Sequence, residues 1–136
     1  MSATGALTLK KEERLCSLKL IDRLFKGSGS RSMSAFPLRM VYAVIDSDST
    51  AEGVQMLVSV PKRHFKRAVK RNRVKRQVRE AYRKHKHTLL TLAAGTPGRV
   101  VAIAFIWQCD ELYPSEEVEA KVEGLIARLC EKLGTE

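Results

Sequence analysis

The chain has 136 residues, 44% of them hydrophobic, which suits one domain with a real core and excludes a wholly disordered protein. Its formal net charge of +10 favours nucleic acid or an anionic membrane surface as a partner. The N-terminal sequence lacks the apolar core of a signal peptide, no apolar run approaches the roughly 20 residues of a membrane span, and Cys16, Cys109 and Cys130 follow neither zinc nor disulfide spacing. A reducing, intracellular setting is therefore expected.

The first half of the chain predicts a tail, a helix and two strands. Residues 1–13 are expected to form a flexible tail, and SLKLIDRLFKG a short helix that begins at Ser17 and ends at Gly27. GSGSRS is predicted to be a loop. The β-branched and aromatic content of AFPLRMVYAVI and VQMLVSV predicts two strands, paired as a hairpin around the turn DSDSTAEG.

The second half predicts a basic helix, a strand and a last helix. The nearly all-apolar RVVAIAFIW follows the break GTPG and is predicted to be a central strand. Pro114 and Ser115 open a helix whose apolar residues recur at helical spacing up to Gly134. The order helix–strands–basic helix–strand–helix predicts an α+β fold, a single compact two-layer sandwich over residues 14–136.

The basic segment, residues 62–87, holds 13 of the 25 lysines and arginines and a single acid, Glu80. On a helical wheel, one stripe is apolar and the opposite side is cationic. The apolar stripe consists of Val74, Val78, Ala81, Tyr82, His85, Leu89 and Leu92, and the opposite side of Asn72, Arg73, Arg76, Arg79 and Arg83. Like charges one turn apart repel each other, so this arrangement becomes favourable when a phosphate backbone lies against it.

Three other interpretations of the basic segment stay open at this point. It could be an ordinary solvated helix face, although its charges are nearly all of one sign. It could lie on a membrane surface, but its apolar stripe would then have to be free of the sheet. It could bind DNA, because backbone contacts alone do not distinguish DNA from RNA.

The stretch SVPKRHFKRAVKRNRVKRQVREAYR resembles the signature of the bacterial ribonuclease P protein subunit. The core of the signature is the run from Arg71 to Arg76, which reads RNRVKR, and it follows a strand that ends in Ser59 and Val60. Near the start, Arg14, Leu15, Ile21 and Phe25 match the family in register. The resemblance spans roughly residues 14–130.

The resemblance implies a protein subunit that binds a large catalytic RNA and the 5′ leader of precursor tRNA. The holoenzyme, an endoribonuclease, removes the leader, and catalysis belongs to the RNA with its Mg²⁺ ions. No small-molecule cofactor, membrane or obligate protein partner is expected, and the location is expected to be cytoplasmic. The implied fold carries an unusual left-handed crossover through the basic helix, opposite to the general rule.

The resemblance also implies two groups of site residues. The residues expected to contact the catalytic RNA are Lys62, Arg63, Lys66, Arg67, Lys70, Arg71, Asn72, Arg73, Lys75, Arg76, Arg79 and Arg83. The residues expected to line a cleft for the single-stranded leader are Arg14, Ile21, Phe25, Phe36 and Arg39. Phe36 is included because it lies near Arg39 on the predicted strand, and not because of the family register. The family often has aromatic residues where this chain has Ile21 and Arg39, so Arg39 is expected to supply charge or a guanidinium stack.

No catalytic or metal-binding residues are predicted. The acidic residues fall in the tail, a turn, a strand exit and a helix start, not as paired carboxylates that would hold two metal ions. His85 and His87 are two apart on a predicted helix and therefore face different ways, and His64 is a better candidate for RNA contact than for metal. Trp107 is most simply a packing residue. The alternative function is a stand-alone ribosomal or DNA-binding protein with a basic helix.

Overall fold

The computed structural model describes residues 21, 24–25, 30–46, 53–94 and 99–134. Its strands are β1 (Arg31–Ala35), β2 (Leu38–Asp46), β3 (Gly53–Ser59) and β4 (Arg99–Trp107), and its helices are α1 (Ala68–His85), α2 (His87–Ala94) and α3 (Ser115–Gly134). Ile21, Leu24 and Phe25 have helical backbone, in agreement with the predicted first helix. The predicted tail, both predicted ends of that helix, the turn at 47–52 and the break at 95–98 lie outside the described residues.

The four strands form one sheet in the order β1-β2-β4-β3. Strand β4 is antiparallel to β2 and parallel to β3, and all its residues from Val100 to Phe105 are buried. The prediction of a central strand is confirmed, because an apolar run can be buried on both faces only in the interior of a sheet.

The hairpin predicted between AFPLRMVYAVI and VQMLVSV is wrong. These segments form β2 and β3, and β4 lies between them in the sheet. Strand β2 instead pairs with β1, a strand that the sequence does not predict, because Arg31 and Ser32 fall in the predicted loop and Ala35 opens the predicted strand AFPLRMVYAVI. The sequence of β1 is RSMSA, in which only Met33 is buried, so it carries little strand signal. Since β3 and β4 are parallel neighbours, α1 and α2 form the crossover between them; its hand stays a prediction.

The main core lies between one face of the sheet and the three helices. It contains Met40, Val58 and Phe105 from the strands, and its helical residues are Val74, Val78, Ala81, Tyr82, Leu89, Ala93, Val118, Val122, Leu125, Ile126 and Leu129. The apolar stripe of the basic segment is thus largely buried, as predicted. The predicted helix is interrupted, however: α1 ends at His85, and α2 begins at His87.

A smaller apolar cluster covers the opposite face of the sheet. Leu24 is fully buried there against Val41, Ala43, Ala102 and other strand residues. Side chains alternate between the faces along a strand, so Arg39 projects from the same face as Val41 and Ala43. The α+β prediction is confirmed, and the first helical segment packs on the face of the sheet that α1 does not cover.

Candidate nucleic-acid interface

The loop between β3 and α1 holds its cations out into solvent. Val60 and Phe65, near its two ends, are only 6% and 5% exposed, and they fix the loop to the core. Between and after these anchors Lys62, Arg63 and Lys66 are exposed. A turn closed by the hydrogen bond from the His64 amide to the Pro61 carbonyl oxygen, 3.1 Å, shapes the segment.

Helix α1 continues the positive surface that the loop begins. Of the residues predicted to contact the catalytic RNA, Lys62, Arg63, Lys66, Arg67, Lys70, Asn72, Arg73, Arg76 and Arg79 are exposed, and Arg71, Lys75 and Arg83 are half-buried. The first turn of α1 contains no acidic residue. Its positive dipole end therefore adds to the cationic side chains, an arrangement that favours an anion.

Arg71 has internal partners. Its Nη1 donates hydrogen bonds to the carbonyl oxygens of Phe65, at 2.7 Å, and Lys66, at 2.8 Å. These bonds tie the first turn of α1 to the loop before it. Arg71 is half-buried, and its guanidinium is committed to main-chain carbonyls.

Arg83 forms an ion pair with Glu80, one turn earlier on α1. Its Nε donates to Glu80 Oε2 at 3.0 Å, and its Nη2 contacts the other carboxylate oxygen. The hydrogen bond from Arg83 lowers the pKa of Glu80, and the same bond raises the pKa of Arg83. The positive charge of Arg83 is thus partly balanced within the helix.

Arg73, Arg76 and Arg79 differ from Arg83 in this respect. None of the three has an ion-pair partner among the residues that the structure describes. Three unbalanced guanidiniums spread over two turns of one helix repel one another unless an external anion lies against them.

The junction of α1 with α3 forms a polar cleft of about 480 Å³, lined by Arg73, Arg76, Gln77, Glu80, Ala81, Lys84, Ser115 and Glu119. Gln77 crosses it, since its Nε2 donates to the Tyr113 carbonyl oxygen and to Ser115 Oγ, both at 3.0 Å. Glu119 accepts a hydrogen bond from His85 Nε2 at 2.9 Å, which lowers the pKa of Glu119. The junction fixes the orientation of the basic face relative to the rest of the fold.

The predicted leader residues do not all lie together. Ile21 packs against the smaller cluster, and Phe25, 46% exposed, stands one turn further along the same segment. Arg39 is exposed on that sheet face, in register with Ser34 of β1 and Ile106 of β4.

Phe36, 59% exposed, lies instead in the turn between β1 and β2 at the end of the sheet, where it lines a separate cavity. Arg14 lies outside the described residues. The structure therefore places Ile21 and Arg39 on one face and Phe36 at its end.

His64 has a partner that the sequence does not indicate. Its Nδ1 lies 2.6 Å from Asp110 Oδ1, and the two residues are 46 positions apart. No local pattern could have predicted this pair, because it depends on how the ends of β3 and β4 lie beside each other. It joins the basic loop to the segment between β4 and α3.

A metal site and a membrane-binding helix find no support among the described residues. No three His, Cys, Asp or Glu residues among them are placed to hold a metal ion. Within the same ranges, no helix has the length and apolarity to cross a membrane. The apolar side of α1 is buried against the sheet, so that helix has no free apolar face for a membrane surface.

Comparison with known proteins agrees with this architecture. The family model for ribonuclease P matches residues 9–129. The ribonuclease P protein component of Porphyromonas gingivalis is 41% identical over 130 residues, which cover 96% of this chain and 92% of the relative. A Staphylococcus aureus RNase P protein mutant with defective mRNA degradation activity has a similar fold, with a TM-score of 0.67 and 18% identity over 95% of this chain and 98% of that one.

The RNase P protein from Thermotoga maritima also shares the fold, with a TM-score of 0.63 and 21% identity over 85% of this chain and 96% of that one. Fold and surface together define a small, basic α+β protein whose charged helix connects two parallel strands. The chain belongs to the ribonuclease P protein family. Proteins of this family are subunits of the ribonucleoprotein endoribonuclease that processes tRNA.

Proposed function

We propose that this chain binds the catalytic RNA of ribonuclease P through the loop before α1 and the solvent face of α1. The observation that carries the proposal is the set of exposed guanidiniums of Arg73, Arg76 and Arg79, which have no ion-pair partner among the described residues and continue the exposed cations of the loop. Phosphates replace the mutual repulsion of these side chains with attraction and release their own condensed counterions. Arginine suits this role because its planar fork can contact two phosphate oxygens at once.

The second part of the proposal concerns precursor tRNA. The sheet face opposite α1 presents Phe25, Arg39 and the half-buried Ile21, and a single-stranded leader would lie across it. Exposed aromatic rings stack on bases without regard to sequence, and a guanidinium can stack or contact a phosphate. Phe36 extends this surface at the end of the sheet.

Catalysis is assigned to the RNA, which is proposed to hold the Mg²⁺ ions that activate the attacking water. The acidic side chains nearest the basic face already have partners within the protein. Glu80 pairs with Arg83, and Glu119 pairs with His85 and with Lys84 Nζ at 3.6 Å. The protein contributes neutralisation of phosphates and placement of the leader, and the complex is expected to act in the cytoplasm.

A cleavage assay on precursor tRNA tests this proposal. The reaction is run with the catalytic RNA alone, with the protein alone and with both, over a series of Mg²⁺ concentrations. We expect cleavage by the RNA with protein at lower Mg²⁺ than by the RNA alone. Cleavage by protein rigorously freed of RNA would overturn the assignment of catalysis, and an unchanged Mg²⁺ requirement would favour a stand-alone binding module.

A further inference from the structure

A cavity of about 370 Å³ lies at the end of the sheet, apart from the face that carries Arg39. It is lined by Phe36, His64, Gln108, Cys109, Asp110, Glu111 and Tyr113. Three separate segments meet there: the turn between β1 and β2, the basic loop, and the connection from β4 to α3. The main-chain N–H of Gln108 donates a hydrogen bond of 2.8 Å to the Pro37 carbonyl oxygen, and this bond holds the first and third segments together.

The walls of the cavity combine aromatic rings with hydrogen-bond acceptors. Phe36 is 59% exposed, so its ring is accessible to a ligand. The ring of Tyr113 is fixed edge-on against buried Trp107, with 5.6 Å between the ring centroids. Carboxylate and amide oxygens come from Asp110, Glu111 and Gln108. This composition suits a flat ring that carries N–H donors.

His64 connects the cavity to the positive surface. Its pairing with Asp110 joins the acidic side of the cavity to the loop that carries Lys62 and Arg63, both exposed. His64 Nε2 is buried and has no hydrogen-bond partner among the described residues. A cation on the rim and an acceptor within match the two parts of a nucleotide, since the phosphate is an anion and several bases donate from exocyclic amines.

The surroundings of Tyr113 also favour a ligand that donates hydrogen bonds over an anionic one. Partial desolvation raises its pKa, with further contributions from negative groups nearby, among them Glu111 and Glu117. Its hydroxyl therefore stays protonated at neutral pH. The acidic surroundings disfavour a phosphate inside the cavity and leave the donor edge of a base as the better match.

We propose that this cavity binds one unstacked RNA base that bears an exocyclic amine, with the base against Phe36 and its amine toward Glu111 and Gln108. The proposal rests on the proposed RNA-binding function and adds a base-reading site to it. The base could come from the leader or from the catalytic RNA, which offer the same chemistry.

Cys109 provides a probe within the cavity. It is a half-buried free thiol, and Cys130, also free and half-buried, lines a different cavity beside His85. Full-length protein is alkylated with iodoacetamide alone, with catalytic RNA, and with catalytic RNA plus precursor tRNA, and each cysteine is followed by peptide mass spectrometry. We expect RNA to slow alkylation of Cys109 several-fold and to leave Cys130 unchanged.

The step at which protection appears identifies the source of the base. Protection by catalytic RNA alone assigns the site to that RNA, and protection only with precursor tRNA assigns it to the leader. Single abasic positions in the protecting RNA should then restore Cys109 alkylation at one position. Absence of protection, or protection indifferent to every abasic position, overturns the proposal, as does protection by spermidine but not by RNA.

Two variants test the base contacts, and a third is the matched control. Phe36→Ala should weaken binding of the protecting RNA roughly 5- to 150-fold, the range for a lost stacking contact. Glu111→Gln should reduce a preference for cytosine over uracil at the identified position. Val44→Ala removes a 38% exposed apolar side chain from β2, near the end of the strand opposite the cavity, and should change neither result. Enhanced precursor cleavage with unprotected Cys109 would leave the proposed function standing while the base site fails.

Discussion

Arg71 Nη1 donates a hydrogen bond of 2.7 Å to the main-chain carbonyl oxygen of Phe65, and a second bond from the same nitrogen reaches Lys66. The first arginine of the Arg71-Asn72-Arg73 run thus fastens the basic loop to α1. Its role differs from that of Arg73, which is exposed and has no internal ion pair among the described residues.

Arg71→Ala should therefore destabilise the fold, by about 1–2 kcal/mol for two lost charge-assisted hydrogen bonds at a half-buried site. RNA affinity should fall because the loop loses its anchor, with less change in the salt dependence than a lost phosphate contact gives. Urea denaturation and a salt titration of RNA binding measure the two effects. Unchanged stability together with a flattened salt slope would make Arg71 a phosphate contact instead.

Arg76 tests the solvent face of α1. Because its side chain is exposed, Arg76→Ala should change the free energy of unfolding by no more than about 0.5 kcal/mol. Affinity for the catalytic RNA should fall, and the slope of log affinity against log salt should flatten by about 1 unit per lost phosphate contact.

Asn72→Ala is the matched neutral control for Arg76→Ala. It should weaken binding with little change in that slope, because no charge is removed. If Arg76→Ala unfolds the protein, or leaves both affinity and slope untouched, this face of α1 is not the RNA-binding surface.

The ion pair within α1 leads to a prediction of the opposite sign. Glu80→Gln removes the ion pair with Arg83 and the only acid of the basic segment, so RNA affinity should rise and its salt dependence should steepen by up to about 1 unit. Stability should hardly change, since the Glu80 side chain is 50% exposed and an ion pair one turn apart on a helix surface contributes little. Binding isotherms at three salt concentrations measure this, and weaker binding of the variant would mean that Glu80 positions Arg83 for contact.

Glu119 gives the junction of α1 and α3 a pH dependence. Its pKa is lowered from 4.5, chiefly by the hydrogen bond from His85. A lowered pKa means that the ionised carboxylate stabilises the fold above its unfolded pKa, and that this contribution is lost as pH falls through the folded pKa. Glu119→Gln should lower the denaturation midpoint at pH 6, and its difference from the wild type should be smaller at pH 3. An equal difference at both pH values would rule out ionisation as the cause.

Several features were accessible from sequence because they depend on local periodicity. Val74 and Val78 mark the buried side of α1, and the apolar run of β4 marks a strand covered on both faces. The break between α1 and α2 was not accessible, since no Gly or Pro occurs at Lys86, a residue only 1% exposed.

Features that depend on distant partners could not be predicted. Strand β4 lies between β2 and β3, and His64 pairs with Asp110. Both features join segments tens of residues apart, and no spacing in the sequence indicates them. The cavity at the end of the sheet is built from three such segments. The exposed cations of the loop and of α1 were therefore predictable from the sequence. The cavity of acidic and aromatic residues beside them was not.

Phe25 tests the proposed leader surface. Its ring is 46% exposed beside Leu24, which is fully buried, so truncation of Phe25 should leave the fold intact. Phe25→Ala should cost about 1–3 kcal/mol in binding of leader-bearing precursor tRNA to the holoenzyme if the ring stacks on a base. Binding of mature tRNA, which lacks the leader, should barely change. The comparison is a pair of affinity measurements on the same holoenzyme preparation, with Val44→Ala as the control for loss of an exposed apolar side chain. Equal losses for precursor and mature tRNA would place Phe25 outside the leader path, because a residue that contacts only the leader cannot affect a substrate without one.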